Sequence, residues 1–446
     1  MSAPPASLPA ASHETRGLGV AVLCMLLNLV DGFDLLIVSF VLPNLPSDFA
    51  TTREKGFIVS FALFGMAVGA IGLARLADRY GRRIIALAGI ATNLVGLVLS
   101  AFSPSAEFMM GARFITGVGI GMVSVVIVVA AQETAAPRYR NLATGLVMIG
   151  YPLGSVLAAL STNAITSTFG SNWKALYLTG AGLAALAFVA AFLGLPESVK
   201  RAKSAATADV APSSEKPPSL LGKQLVVATL LLCVGYMTVS GVFNFAAGLT
   251  PDFVKTAMLD GLGKDAAKAA TAAARTTGQN VGLWLSIGCL VGAVSLAMIG
   301  LVVSAVRLTW IYCAIAVVSM VGFANSFPGP GESPSTPLYL FAVTLGIGIF
   351  GGISSYSALV PVAYPQNVRA KGYGAMLGFG RLGAIVAPLI SAFIVSEIGP
   401  QRLYNYINVL LVVAFGCALC VVLVMRKSGI ISAEPDTSSA LVTEQS

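Results

Sequence analysis

The 446-residue chain is 56% hydrophobic and 10% charged, with a mean hydropathy of +0.85 and a formal net charge of +8. A soluble domain carries about 25% charged residues, so no water-soluble globule can hide this much apolar surface and lipid must form part of the solvent. The basic balance does not point to nucleic acid, because the cations fall in short segments between long apolar runs, where insertion bias places them.

The opening "MSAPPASLPAASHETRG" is polar and lacks the basic start and small-residue cleavage site of a signal peptide, so residues 1–16 are expected to be a retained cytoplasmic tail. A bilayer core about 30 Å thick is crossed by roughly 20 apolar residues as helix. Such runs recur at 17–42, 56–76, 83–102, 107–131, 141–165, 174–196, 224–249, 280–303, 308–325, 337–359, 371–395 and 403–426. In lipid each segment must satisfy its own backbone hydrogen bonds. The pattern therefore predicts an all-α membrane protein with twelve transmembrane helices.

The first span holds an anomaly, "LVDGFDLLIVSF". Asp31 and Asp34 are spaced i, i+3 and so share one helix face. An acid in mid-membrane costs roughly 2.5–3.5 kcal/mol on insertion scales, and two ionised neighbours would add repulsion. The economical solution is for one carboxyl to take a proton. An acid that gains and loses a proton while its exposure alternates between two sides is a proton-coupling device. Gly32 loosens the helix between the two acids, and Phe33 is placed to stack beside them. The plainer reading is that one of the acids only neutralises Arg113 in the fourth span.

After the second span comes "LARLADRYGRR", a carboxylate, Asp78, beside Arg79, Arg82 and Arg83, with Gly81 at the bend. Glu133, at the inner end of the fourth span, is expected to pair with a loop Arg. The fifth span opens "RNLATGLVMIGYPLGS" and the eleventh "RAKGYGAMLGFGRLGA": Arg140, Gly145 and Gly154 match Arg369, Gly374 and Gly383 at a constant offset of 229. This echo predicts two pseudo-symmetric six-helix bundles around a central path, with the glycines allowing close helix approach. Between spans six and seven, "VKRAKSAATADVAPSSEKPPSLLGK" has linker composition. The expected domains are thus a bundle at 17–197, a cytoplasmic linker at 198–223, a second bundle at 224–427 and a cytoplasmic tail at 428–446.

With both termini inside, 17 of the 27 Lys and Arg residues lie on the inner side, 8 on the outer side, and Arg113 and Arg381 within spans, as the positive-inside rule asks. The outer segment 250–279, rich in Ala and Lys, reads as a helical extension of spans seven and eight. Arg381 is a permanent cation inside the eleventh span and needs an anion: a substrate carboxylate, or an acid from the other half. Arg113, Phe33, Tyr236, Asn244, Trp284 and Tyr356 are candidate contacts for the rest of a substrate. The six cysteines fall in apolar segments and His13 is the only histidine, so neither a metal site nor a redox pair is expected.

The signature loop resembles the G-x-L-A-D-R-x-G-R-R loop of the major facilitator superfamily, with Ala74 in place of its leading Gly. Arg113 in "ARFITGVGIGM" is similar to the family's R-x-x-x-G-x-G, and the corresponding loop of the second half, "GLVVSAVR", has Ser304 where an acid would stand. D-G-F-D in the first span and "GRLGAIVAP" in the eleventh resemble the aromatic acid:proton symporter branch; the seventh span's "FNFAAGLTP" departs from it. The resemblance implies the major facilitator fold. It also implies a loop that latches the two halves, with Asp78, Arg79, Gly81, Arg82, Arg83, Glu133, Arg140 and Arg369 in gating roles.

The reading that follows is a transporter, not an enzyme. It takes up a small aromatic carboxylate with a proton across the cytoplasmic inner membrane by alternating access. No cofactor is expected: G-x-x-x-x-G-K-[ST] is absent, so a proton gradient must supply the energy. The expected partners are the substrate, the proton and the lipid bilayer, with the chain a monomer. The alternatives are efflux of a drug or metabolite by proton antiport, import of a non-aromatic organic acid, or a non-transporting sensor whose support is the 250–279 segment.

Overall fold

The computed structural model describes residues 10–46, 48–72, 74–136, 139–196, 223–364 and 366–427. The expected linker, apart from its last residue, and the C-terminal tail lie outside them. Twelve helices are long and apolar enough to cross a membrane. They are α1 (Ala10–Val41), α2 (Thr52–Gly72), α3 (Arg82–Ala101), α4 (Ala106–Thr134), α5 (Arg140–Phe169), α6 (Trp173–Gly194), α7 (Lys223–Leu259), α8 (Lys264–Ile299), α9 (Ala305–Asn325), α10 (Thr336–Ala363), α11 (Gln366–Ile398) and α12 (Pro400–Lys427). A seven-residue helix, Ala74–Tyr80, lies between α2 and α3. The protein is a multi-pass membrane protein. After twelve crossings the described chain ends share one face of the bundle, the near face; the α1–α2 and α7–α8 turns lie on the far face.

Local chemistry sets the helix ends. At the start of α2, Thr51 Oγ1 accepts the Glu54 N–H at 3.3 Å while Glu54 Oε2 accepts the Thr51 N–H at 2.7 Å, a reciprocal capping box. Ser105 caps α4 and Asn172 caps α6 through side-chain oxygens. Gly81 breaks the chain between the loop helix and α3 at φ 98°, a conformation that a Cβ disfavours. The 250–279 segment is not a free loop. It continues α7 to Leu259 and resumes in α8 at Lys264, and Pro251, Asp252 and Phe253 are buried.

Helix pairing shows the internal symmetry. In the first half α1 packs on α5, α2 on α4, α3 on α4 and α6; in the second, α7 packs on α11, α8 on α10, α9 on α10 and α12. The halves meet through α2 with α11, α5 with α8, and α1 with α7. The 229-residue echo maps onto this. A Cβ on Gly154 would strike the Leu29 carbonyl of α1, and one on Gly383 the Met237 carbonyl of α7; Gly145 and Gly374 have nothing within 4 Å. Matching positions therefore have matching environments, with the backbones of α1–α5 and α7–α11 in close approach.

Candidate functional site

The acids of α1 share a helix face but meet different neighbours. Asp34 is fully buried and points into the first bundle, where Asn93 of α3 donates its amide N–H to Asp34 Oδ2. Arg113 of α4 donates from Nη2 to the main-chain carbonyl of Asp34 at 2.9 Å, not to its carboxylate. The Arg113 guanidinium lies 5.6 Å from the centroid of the Tyr177 ring, and its Nε and Nη1 have no hydrogen-bond partner. Asp31, also buried, leaves Oδ2 unpartnered and sits within electrostatic reach of Asp34 and of Tyr151 on α5. Gly32 permits this, because its Cα lies against the Tyr151 backbone.

Tyr151 opens onto the junction of the halves. Its ring is 6.3 Å from Phe243 of α7 and 6.4 Å from Phe350 of α10, and those two are 5.6 Å apart. Three aromatic faces from both halves thus converge, with Tyr151 the member within electrostatic reach of Asp31. Arg381 crosses between the halves at another contact, α11 with α2, donating from Nη1 to the Met66 carbonyl at 3.2 Å. Among the described residues no carboxylate lies within ion-pair distance of Arg381. Tyr236 is its neighbour, with the ring packed on Gly380 and within electrostatic reach of the guanidinium.

Other candidates are placed elsewhere. Phe33 is fully buried inside the first bundle against Gly180 of α6, so it does not face the junction. Arg113 is likewise sealed within that bundle. Tyr356 is buried in the second bundle, donating to the Ala414 carbonyl of α12 and backing Tyr236 at 6.4 Å. Trp284 is 43% exposed, on the outer stripe of α8 with Val291 and Met298 at i+7 and i+14; that period faces away from the core. Asn244 spends its amide on Ser240 of its own helix at 2.8 Å. Asn93, Tyr151, Phe243 and Phe350 escaped the sequence reading. Asn93 had a usable signal, since a lone amide in an apolar span demands a partner.

At the near face, Arg82 is ion-paired with Glu133. Arg83 donates to the Phe192 carbonyl at 2.5 Å and lies over that ring, and Arg79 lies over Tyr80. Arg369 donates to the Pro361 carbonyl at 3.3 Å, beside the proline inside α10. The side chains of Asp78 and Arg140 lie outside what the structure describes. The polar contacts between the halves run from the middle of the bundle to the far face: Arg381–Met66, Ser60 to the Ile385 carbonyl at 2.9 Å, Asn163–Asn280, Lys255–Pro43 and Lys55–Asp252.

Two related six-helix halves meeting along a polar junction are the architecture of a membrane transporter. The family comparison agrees: residues 24–388 match the Major Facilitator Superfamily, and the chain belongs to that family. It is a transporter, not an enzyme. It is 27% identical over 442 residues to the 4-hydroxybenzoate transporter PcaK of Pseudomonas aeruginosa, covering 93% of this chain and 92% of that one. It is 28% identical over 390 residues to a gentisate transporter of Corynebacterium glutamicum, covering 85% and 82%. Among solved structures, a D-xylose-proton symporter superposes with a TM-score of 0.71 at 16% identity, covering 91% of this chain and 97% of that one, a likeness of fold.

Proposed function

We propose that the protein imports a small aromatic carboxylate together with a proton across the cytoplasmic membrane, with the near face and both chain ends inside the cell. The observation that carries this is Arg381, a guanidinium bridging the halves that has no carboxylate within ion-pair distance among the described residues. A permanent cation in a low-dielectric site calls for an anion, and a carboxylate accepts two parallel N–H bonds from a guanidinium. The Tyr151–Phe243–Phe350 cluster supplies ring faces at spacings suited to aromatic stacking. The hydroxybenzoate and gentisate named for its relatives are both ring carboxylates.

In this reading the two acids divide the work. Asp34, held by Asn93 and backed by Arg113, is the positioning acid. Asp31, with an oxygen free and Tyr151 beside it, carries the proton. The proton and the anion enter from the far side, the halves rock, and both leave toward the near side. The conformation described here, joined at the far end, is the one closed to the outside. Arg82–Glu133 and Arg369 act in the near-face gate.

Right-side-out vesicles under an inward proton gradient test the reading. Radiolabelled 4-hydroxybenzoate should accumulate above its equilibrium level, and a protonophore should abolish the accumulation. Loss of preloaded substrate instead of uptake would overturn import in favour of proton-antiport efflux.

A further inference from the structure

The far mouth holds cations that the transport cycle does not use. Lys55 at the start of α2 pairs with Asp252 of α7, Nζ lying 2.8 and 3.0 Å from the two carboxylate oxygens. The Asp252 side chain is 2% exposed. One turn on, Lys255 donates to the Pro43 carbonyl at 2.7 Å, crossing from the second half to the first. Arg275 of α8 lies within electrostatic reach of Lys255, as do Lys55 and Asp252. Its Nε is buried without a partner, and so is the amide of Gln279 one turn further along α8, itself 2% exposed. Among the described residues Asp252 pairs with Lys55 alone, and neither Lys255 nor Arg275 has a carboxylate within ion-pair distance.

Three cations linked in a row, Lys55 and Lys255 near Asp252 and Arg275 near Lys255, run against the bias that keeps Lys and Arg inside. They are also costly to bring together with a single counter-ion. A lock between α2 and α7 needs only Lys55 and Asp252. Lys255, Arg275 and the unpartnered amide are left over, and what they lack is an anion.

We propose that Lys55, Lys255 and Arg275 form a carboxylate-reception site at the far mouth, which Asp252 occupies when the mouth is closed. An arriving carboxylate takes the place of Asp252 on Lys55, so that capture of cargo and release of the α2–α7 tie are one event. The site is separate from Arg381. It deepens the proposed function, because it rests on the cargo being a carboxylate that enters from the far side.

The test uses the full chain in right-side-out vesicles, with Asn163→Cys as a far-face reporter in a Cys420→Ser background and a membrane-impermeant maleimide. Benzoate should speed labelling severalfold, whereas benzamide and matched chloride should not. Lys55→Gln should label fast with or without benzoate, and its half-saturation for 4-hydroxybenzoate uptake should rise on the order of tenfold. The exchange Lys55→Asp with Asp252→Lys rebuilds the tie but removes the receiving cation from α2. It should label slowly, like the parent, and ignore benzoate. An exchange variant that responds as the parent does would reduce the pair to a lock and overturn the proposal. Unresponsive labelling in a parent that takes up 4-hydroxybenzoate would overturn it while leaving the transport reading intact. Responsive labelling in a parent that takes up neither acid would keep the site and sink that reading instead.

Discussion

Each buried charge in this protein is defined by what its side chain touches. Asp34 accepts from Asn93, so Asp34→Leu would strand a buried amide, at about 1–3 kcal/mol. We expect a lower melting temperature in detergent for that variant, while Asp34→Asn, which keeps an acceptor, melts near the parent. Arg381 presents a planar fork to the junction. Arg381→Lys retains the charge but loses bidentate geometry, and the half-saturation for 4-hydroxybenzoate should rise by about tenfold, the loss of one charge-assisted bond; unchanged uptake kinetics would remove Arg381 from the site. Trp284 lies on the outer stripe of α8, so Trp284→Ala should transport at the parent rate.

Helices carry the symmetry, and glycine spacing records it. Gly154 and Gly383 sit where a Cβ would strike the backbone of α1 and α7, whereas Gly145 and Gly374 face open space. Overpacking a tight contact costs about 1–3 kcal/mol. Gly154→Ala and Gly383→Ala should each destabilise the protein by that amount in thermal denaturation, and Gly145→Ala and Gly374→Ala should lose nothing. Equal effects at all four positions would show that the echo is compositional only. Spans and echo were legible because helix length and residue period are one-dimensional properties, written along the chain. The angular facing of each helix was not. Tyr151 and Trp284 are both aromatics in apolar runs, and only the packing of α5 and α8 sends one to the junction and the other outward. Phe33, between the two acids in sequence, turns inward to Gly180 for the same reason. Arg113 looked like a partner for a carboxylate and hydrogen-bonds the main-chain carbonyl of Asp34, a distinction that spacing does not encode. Lys55 and Asp252 are 197 residues apart, and nothing local ties them together.

For the whole molecule, the polar ties between the halves run from the far face down to Arg381, and the rocking of the halves proposed above requires that they break as a set. The central claim is that Asp31 brings a proton in with each carboxylate. The direct measurement is the pH of a weakly buffered suspension of de-energised vesicles when 4-hydroxybenzoate is added. The parent should alkalinise the medium as protons enter with the anion. Asp31→Asn should give no pH change while still exchanging labelled for unlabelled substrate. Undiminished alkalinisation by Asp31→Asn would contradict the account, because the proton would then travel on another group.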